Sequence, residues 1–176
     1  MGSENVLSGM PYLPDIKDYK PFYIQTASDT SAIDTASSFG MVAKSNPYPL
    51  LPEPKDVYTN EWKDEDGDDE YTAKMYYKAF EFDVSFYVKA YSSGSVSSEA
   101  VLRSQVDSFF AKVRDGEFSV YDSYTGVGYK SVRYAGYKEE SFLRRGSWTR
   151  AIFTVTFKVN SPTARMKYSG GSIVEV

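Results

Sequence analysis

The sequence predicts an α+β fold that is mainly β: an antiparallel β-sandwich or rolled sheet with one flanking α-helix over residues 98–115. Three observations predict it. Phe80, Phe82, Val84, Phe86 and Val88 interleave with Glu81, Asp83, Ser85, Tyr87 and Lys89, and strand side chains alternate between faces. The same pattern returns at Ala151, Phe153, Val155, Phe157 and Val159, opposite Thr154, Thr156, Lys158 and Asn160. Strands with one greasy and one wet face suit an antiparallel sheet packed on one side. Between them, Leu102, Val106, Phe109 and Val113 form a stripe at helical spacing, widened by Val101 and Phe110, and its reading is core packing.

Taken in chain order, residues 1–38 read as a partly extended arm. They carry Pro11, Pro14 and Pro21 and a polar run from Thr26 to Ser38, with Tyr12, Tyr19, Phe22 and Tyr23 as aromatic anchors. Such an arm drapes on its own domain or reaches a neighbouring subunit. The β-plus-helix domain spans 39–161. Phe39 to Lys44 opens it as a short strand. Pro47, Pro49, Pro52 and Pro54 then break regularity, since each fixes φ and lacks an N–H. Lys55 to Asn60 is a weaker strand. Glu61 to Glu70 holds seven acids and one lysine around Gly67, a composition for a solvated loop or hairpin tip.

Ser97 or Ser98 caps the helix, Glu99 complements the positive end of its dipole, and Gly116 supplies the left-handed stop. Glu117 to Asp122 is a strand, Asp122 to Gly126 a turn, and Tyr129 to Tyr137 a return strand. Phe142 to Arg145 is a loop or short strand. Pro162 ends the last strong strand. Residues 162–176 form a terminal hairpin or arm: Ala164 to Tyr168 and Ser172 to Val176 joined by Ser169-Gly170-Gly171.

Composition narrows function. The chain has 176 residues, no histidine and no cysteine. That excludes a Ser-His-Asp triad, a thiol nucleophile and a zinc site of thiolate and imidazole ligands. The expectation is a protein that is not an enzyme, with no catalytic residue, no cofactor and no metal. The net charge of −4 argues against nucleic-acid binding, which needs clustered cations. No apolar run approaches the ~20 residues of a membrane span. The first residues lack a basic region followed by an apolar stretch, so no signal peptide is expected. Met1-Gly2 matches the start of a myristoylation signal, but Val6 stands where Ser or Thr is required.

Three features remain as sites. The acidic stretch resembles part of a calcium loop, yet with Gly67 as sixth residue the first and twelfth are Trp62 and Ala73, neither a ligand. Opposite it in charge, residues 130–150 carry Lys130, Arg133, Lys138, Arg144, Arg145 and Arg150 against Glu139 and Glu140. Opposite patches on one chain suit head-to-tail association. Asp64, Asp66 and Asp68 on one side, and Arg144 and Arg145 on the other, are the candidate subunit-contact residues. Finally, 16 Tyr, 11 Phe and 2 Trp exceed what one core accommodates, and tyrosine favours interfaces. Subunit contact and glycan binding both use it.

The order of these features resembles the N-terminal, ring-forming domain of phage distal tail proteins. The matching pieces are Phe39-Gly40-Met41-Val42, Trp62 to Gly67, Tyr77 to Phe86, the helix from Ser98 to Gly116, Glu117 to Asp122, Arg133-Tyr134-Ala135 and Phe153 to Val159. The resemblance implies a structural protein without catalytic residues. It implies a β-sandwich with a flanking helix, a fold shared with tail tube proteins. It also implies self-assembly into a ring, usually hexameric, joining tail tube to baseplate. The implied partners are copies of itself and other tail proteins, and the implied location is the virion tail after synthesis in the host cytoplasm. A tail tube or tail-completion protein is the alternative, and a glycan-binding β-sandwich a second.

Overall fold

The computed structural model describes residues 19–44, 48–57, 59–60, 69–70 and 74–176. Eleven strands and two helices appear among them. Seven strands form one antiparallel sheet: β1 (Phe22–Thr26), β2 (Ile33–Asp34), β3 (Met41–Ala43), β6 (Phe80–Tyr91), β7 (Phe118–Asp122), β8 (Val127–Arg145) and β9 (Trp148–Val159). Their order is β2-β1-β7-β8-β9-β6-β3. Two two-stranded sheets are separate from it in pairing, β4 (Thr59–Asn60) with β5 (Asp69–Glu70), and β10 (Met166–Ser169) with β11 (Ser172–Glu175). The helices are α1 (Thr35–Phe39) and α2 (Ser98–Val113). The fold is α+β and mainly β, and among the described residues no helix is long and apolar enough to cross a membrane.

The sheet is single and rolled. In the strand order β1 and β6 lie four strand spacings apart, which is roughly 19 Å in a flat sheet. The rings of Phe22 on β1 and Phe86 on β6 nevertheless meet at 5.9 Å, and Phe22 also stacks on Phe157 of β9 at 6.5 Å. Only a sheet curled around its own apolar face brings these together. The interior so formed is aromatic: Phe86 also touches Phe109 of α2 at 5.3 Å and Phe153 at 6.0 Å. Tyr129 is buried completely among Phe80, Phe82 and Tyr48. The residues whose alternation marks β6 and β9 face this core.

Helix α2 forms where its stripe and its caps coincide. Ser97 is the N-cap, its side chain accepting from the Ala100 N–H at 3.2 Å. Ser98 instead turns inward and shares a buried 2.8 Å hydrogen bond with Thr149. The helix ends at Val113 with Arg114 as C-cap, and Gly116 follows at φ +81°.

Several elements differ from expectation. The segment expected as an arm, 1–38, is part of the domain from Phe22 onward. Phe22 and Ile24 on β1 are buried, and the strand pairs with β7 from Phe22↔Asp122 to Thr26↔Phe118. Burial of two alternating apolar residues outweighs the polar run that follows. A second helix, α1, occupies Thr35–Phe39, capped by Asp34 and stopped by Gly40 at φ +64°. Phe39 therefore closes a helix, and the strand expected from it starts at Met41. Of the weak strand expected over 55–60, Thr59–Asn60 forms a ladder, and among the described residues 55–57 lie outside it.

The return strand runs to Arg145 rather than stopping at Tyr137, so 142–145 is strand, not loop. It turns through Gly146-Ser147 directly into β9. The terminal residues form the β10–β11 hairpin around Gly170 and Gly171, both at positive φ. This hairpin seats on the domain: Tyr168 stacks on Tyr23 at 4.2 Å, and the Ile173 N–H donates to Gln25 Oε1 at 2.7 Å.

Candidate functional site

The longest strands build a projection. β6 pairs with β9 from Phe80↔Val159 to Tyr91↔Trp148, and β9 pairs with β8 from Val132↔Val159 to Arg145↔Trp148. On its other side β8 pairs with β7 only as far as Phe118↔Val132. An irregularity ends that ladder. Between Phe118↔Val132 and Val120↔Tyr129 the β8 side carries one residue more, and Ser131 sits there at φ +54°. A bulge bends its strand and raises its twist. Beyond it β8 leaves β7 behind. Among the described residues no strand pairs with the outer edge of 133–145. Unpaired N–H and C=O groups along such an edge are a template for another strand.

Two further bulges lie in the projection, between Tyr134/Gly136 and between Glu139/Ser141. Each shifts the phase of alternation by one residue. Tyr134, Tyr137, Glu139, Phe142 and Arg144 consequently stand opposite Phe157, Val155, Phe153, Ala151 and Thr149, on the core side of the sheet. Helix α2 covers that side chiefly over β6 and β9 and meets β8 less extensively. The result is an apolar groove of about 510 Å³ between α2 and β8, walled by Val106, Phe110, Tyr134, Tyr137 and Phe142 over a floor of Phe153. Phe110 meets Tyr134 edge-on at 5.4 Å, and burial raises the Tyr134 pKa. Tyr137 is 66% exposed, Phe110 41% and Phe142 37%. Core-side aromatics are thus left open beside an unpaired edge.

The five expected contact residues fall in different places. Asp64, Asp66 and Asp68 lie outside the described residues, and the flanks of their stretch pair as Asn60↔Asp69 and Thr59↔Glu70. Arg144 and Arg145 are separated by strand alternation. Arg144 is on the core side, ion-paired with Glu99, which also accepts from Arg103 at 3.0 Å. The Arg103 hydrogen bond is the chief reason the Glu99 carboxyl is held below its ordinary pKa, with Arg144 adding to it. Arg145 is on the outer face, opposite Trp148.

Sequence reasoning grouped Arg150 with Arg145 but did not single out Lys89, Tyr91 and Trp148 as their companions. Lys89 is only 8% exposed, and its ammonium lies 4.5 Å from the Trp148 ring and 5.1 Å from the Tyr91 ring. Arg150 stands directly opposite Lys89. The wet-face positions of β6 and β9 were the available signal, since Lys89, Tyr91, Trp148 and Arg150 all share that phase.

This fold has a known counterpart. The chain is similar in fold to the Dit protein of phage SPP1. That protein's crystal structure is described as a paradigm of the hub adsorption apparatus in phages infecting Gram-positive bacteria. The TM-score is 0.51 at 16% sequence identity, over 84% of this chain and 52% of that one. The match thus spans about half the length of the Dit chain, and at this identity the likeness is one of fold. No protein-family model and no curated protein sequence matches the chain.

Proposed function

We propose that this chain is a structural subunit of a phage tail that assembles with copies of itself into a ring, six in number, joining the tail tube to the adsorption apparatus. The observation that carries this reading is the unpaired edge of β8 at 133–145 beside the open groove under α2. A strand of a second copy laid on that edge continues the sheet and sets its alternate side chains into the groove. The contact is between different surfaces of the two copies, and a heterologous contact of suitable rotation closes into a ring. Fold likeness to a hub protein supports placement in the tail, with tube and baseplate components as the other partners and the virion tail as the location. Negative-stain electron microscopy of the concentrated chain tests the reading: rings of uniform diameter are expected, and single subunits at every concentration contradict it.

A further inference from the structure

Residues 53–55 and 76–78 pair as a two-stranded ribbon. The Lys55 N–H donates to the Tyr76 carbonyl and the Lys78 N–H to the Glu53 carbonyl, both at 2.8 Å, with Pro54 opposite Tyr77. Tyr48 roots the segment in the core: its hydroxyl donates to Asp122 at 3.1 Å, and its ring meets Phe82 and Tyr129. A lone two-stranded ribbon is marginal in water unless its apolar residues pack on something. Here they are open. Leu50 is 92% exposed and Leu51 82%, and Met75 and Tyr76 are exposed beside the pairing. Pro49 and Pro52 flank the two leucines. Each proline fixes φ, so less conformational freedom is lost when the leucines are bound. Apolar side chains presented in this way, without cover in their own chain, mark a contact with another one.

Resting on the self-assembly reading above, we propose that the groove between α2 and β8 receives Leu50 and Leu51 of a second copy of the chain. The groove is walled by Val106, Phe110, Tyr137 and Phe142, an apolar lining that suits aliphatic side chains. Charge points to the same occupant. At the end of the groove nearest the β8–β9 turn, Arg103 and Arg144 share one carboxylate, Glu99, which leaves two cations to one anion. On the ribbon, Glu53 and Asp56 share one ammonium, Lys78, at 2.9 and 3.7 Å, which leaves two anions to one cation. Bringing the two sets together matches surplus with surplus. Asp107 and Glu139 line the groove farther along, and Lys55 and Lys74 are the ribbon's remaining cations. Knob and groove are different surfaces of one chain. Each copy therefore gives to one neighbour and receives from the next, the head-to-tail geometry of a ring.

Sedimentation velocity on the full chain tests it with L50D/L51D. Both side chains stand in solvent in the single chain, so the variant is expected to keep its melting temperature. It is expected to weaken self-association about tenfold or more, since two leucines no longer leave water on contact. A second arm uses the absence of cysteine from the chain. L51C and D107C, made separately and mixed in equal amounts, leave Leu50 and the aromatic walls of the groove intact. Treated with a short bismaleimide, the mixture is expected to give a covalent dimer in which residue 51 of one copy is joined to residue 107 of the other, read by peptide mass spectrometry. A wild type that assembles, with L50D/L51D assembling equally well, overturns this contact while leaving the ring reading standing. Loss of assembly in L50D/L51D without the 51–107 cross-link overturns the choice of groove. A wild-type chain that is monomeric throughout overturns both readings.

Discussion

Asp29 ties the turn after β1 to the end of α2. Its carboxylate accepts from Lys112 Nζ at 2.6 Å, from Thr26 Oγ1 at 2.6 Å and from the Thr26 N–H at 3.0 Å. Burial pushes the Asp29 pKa up, and the hydrogen bonds from Lys112 and Thr26 outweigh it, leaving the group below its ordinary value. A depressed carboxylate contributes stability above its unfolded pKa and loses it as pH falls through the folded one. Asp29→Asn is therefore expected to cost about 1–2 kcal/mol at neutral pH. The gap to wild type should narrow in acid, as read by denaturant unfolding at both ends; a gap independent of pH contradicts the assignment.

The half-buried phenols act at the alkaline end. Tyr19 donates to Asp34 at 2.8 Å and Tyr48 to Asp122 at 3.1 Å. Burial first, and the neighbouring carboxylate second, push both pKa values far up. Tyr23, half-buried and stacked on Tyr168, is pushed up to about 12 by that partial burial first and by Tyr168 second. A raised pKa contributes stability that is complete below the unfolded value near 10 and lost as pH rises through the folded one. Melting temperature is expected to fall steeply above about pH 10, and Y48F to soften that fall. Half-buried tyrosines that ionise freely in the folded chain, seen by phenolate absorbance, contradict this.

At the scale of elements, the terminal hairpin depends on one close approach. A Cβ at Gly128 on β8 would lie 2.7 Å from the Met166 carbonyl oxygen and 2.9 Å from the Tyr121 ring. Gly128→Ala must displace β10 from β8 or β7, at about 1–3 kcal/mol. Earlier proteolysis of the chain's last residues and a lowered melting temperature would report it; a variant as stable and resistant as wild type would show that β10 is not seated there.

Elements differ in how well the sequence reveals them, for physical reasons. β6 and β9 bury one face over their full length, so alternation shows. α2 has both a stripe and caps. β8 beyond Gly136 does not alternate, because its two bulges place Tyr134, Tyr137, Glu139 and Phe142 on one face at spacings of three and two. Without alternation the stretch resembles a loop, which also hid the opposed directions of Arg144 and Arg145. β1 offers only Phe22 and Ile24 as inward residues, and α1 is a single turn whose sole signs are Asp34 and Gly40. The basic character of the tip was legible, whereas its pairing with Tyr91 and Trp148 needed the register.

At the scale of the whole molecule, the aromatic surplus divides by position. Phenylalanines at 22, 82, 86, 109, 118, 153 and 157 are buried in the rolled sheet. Among tyrosines, Tyr129 and Tyr87 are buried, but Tyr76, Tyr91, Tyr124 and Tyr137 are exposed. Of these exposed tyrosines, Tyr137 lies both in the groove and on the unpaired edge. Aromatic anchors at the centre of an interface commonly carry about 2 kcal/mol or more each, and a carboxylate placed there would be desolvated without a partner. Y137D/F142D should therefore abolish assembly while leaving the fold intact, since both side chains are substantially solvent-accessible in the single chain. Sedimentation velocity on wild type and Y137D/F142D, side by side over a range of concentrations, tests the central claim most directly. Self-assembly through the β8 edge predicts a closed oligomer for the wild type and a folded monomer for the variant. A monomeric wild type, or a variant that assembles equally well, contradicts it.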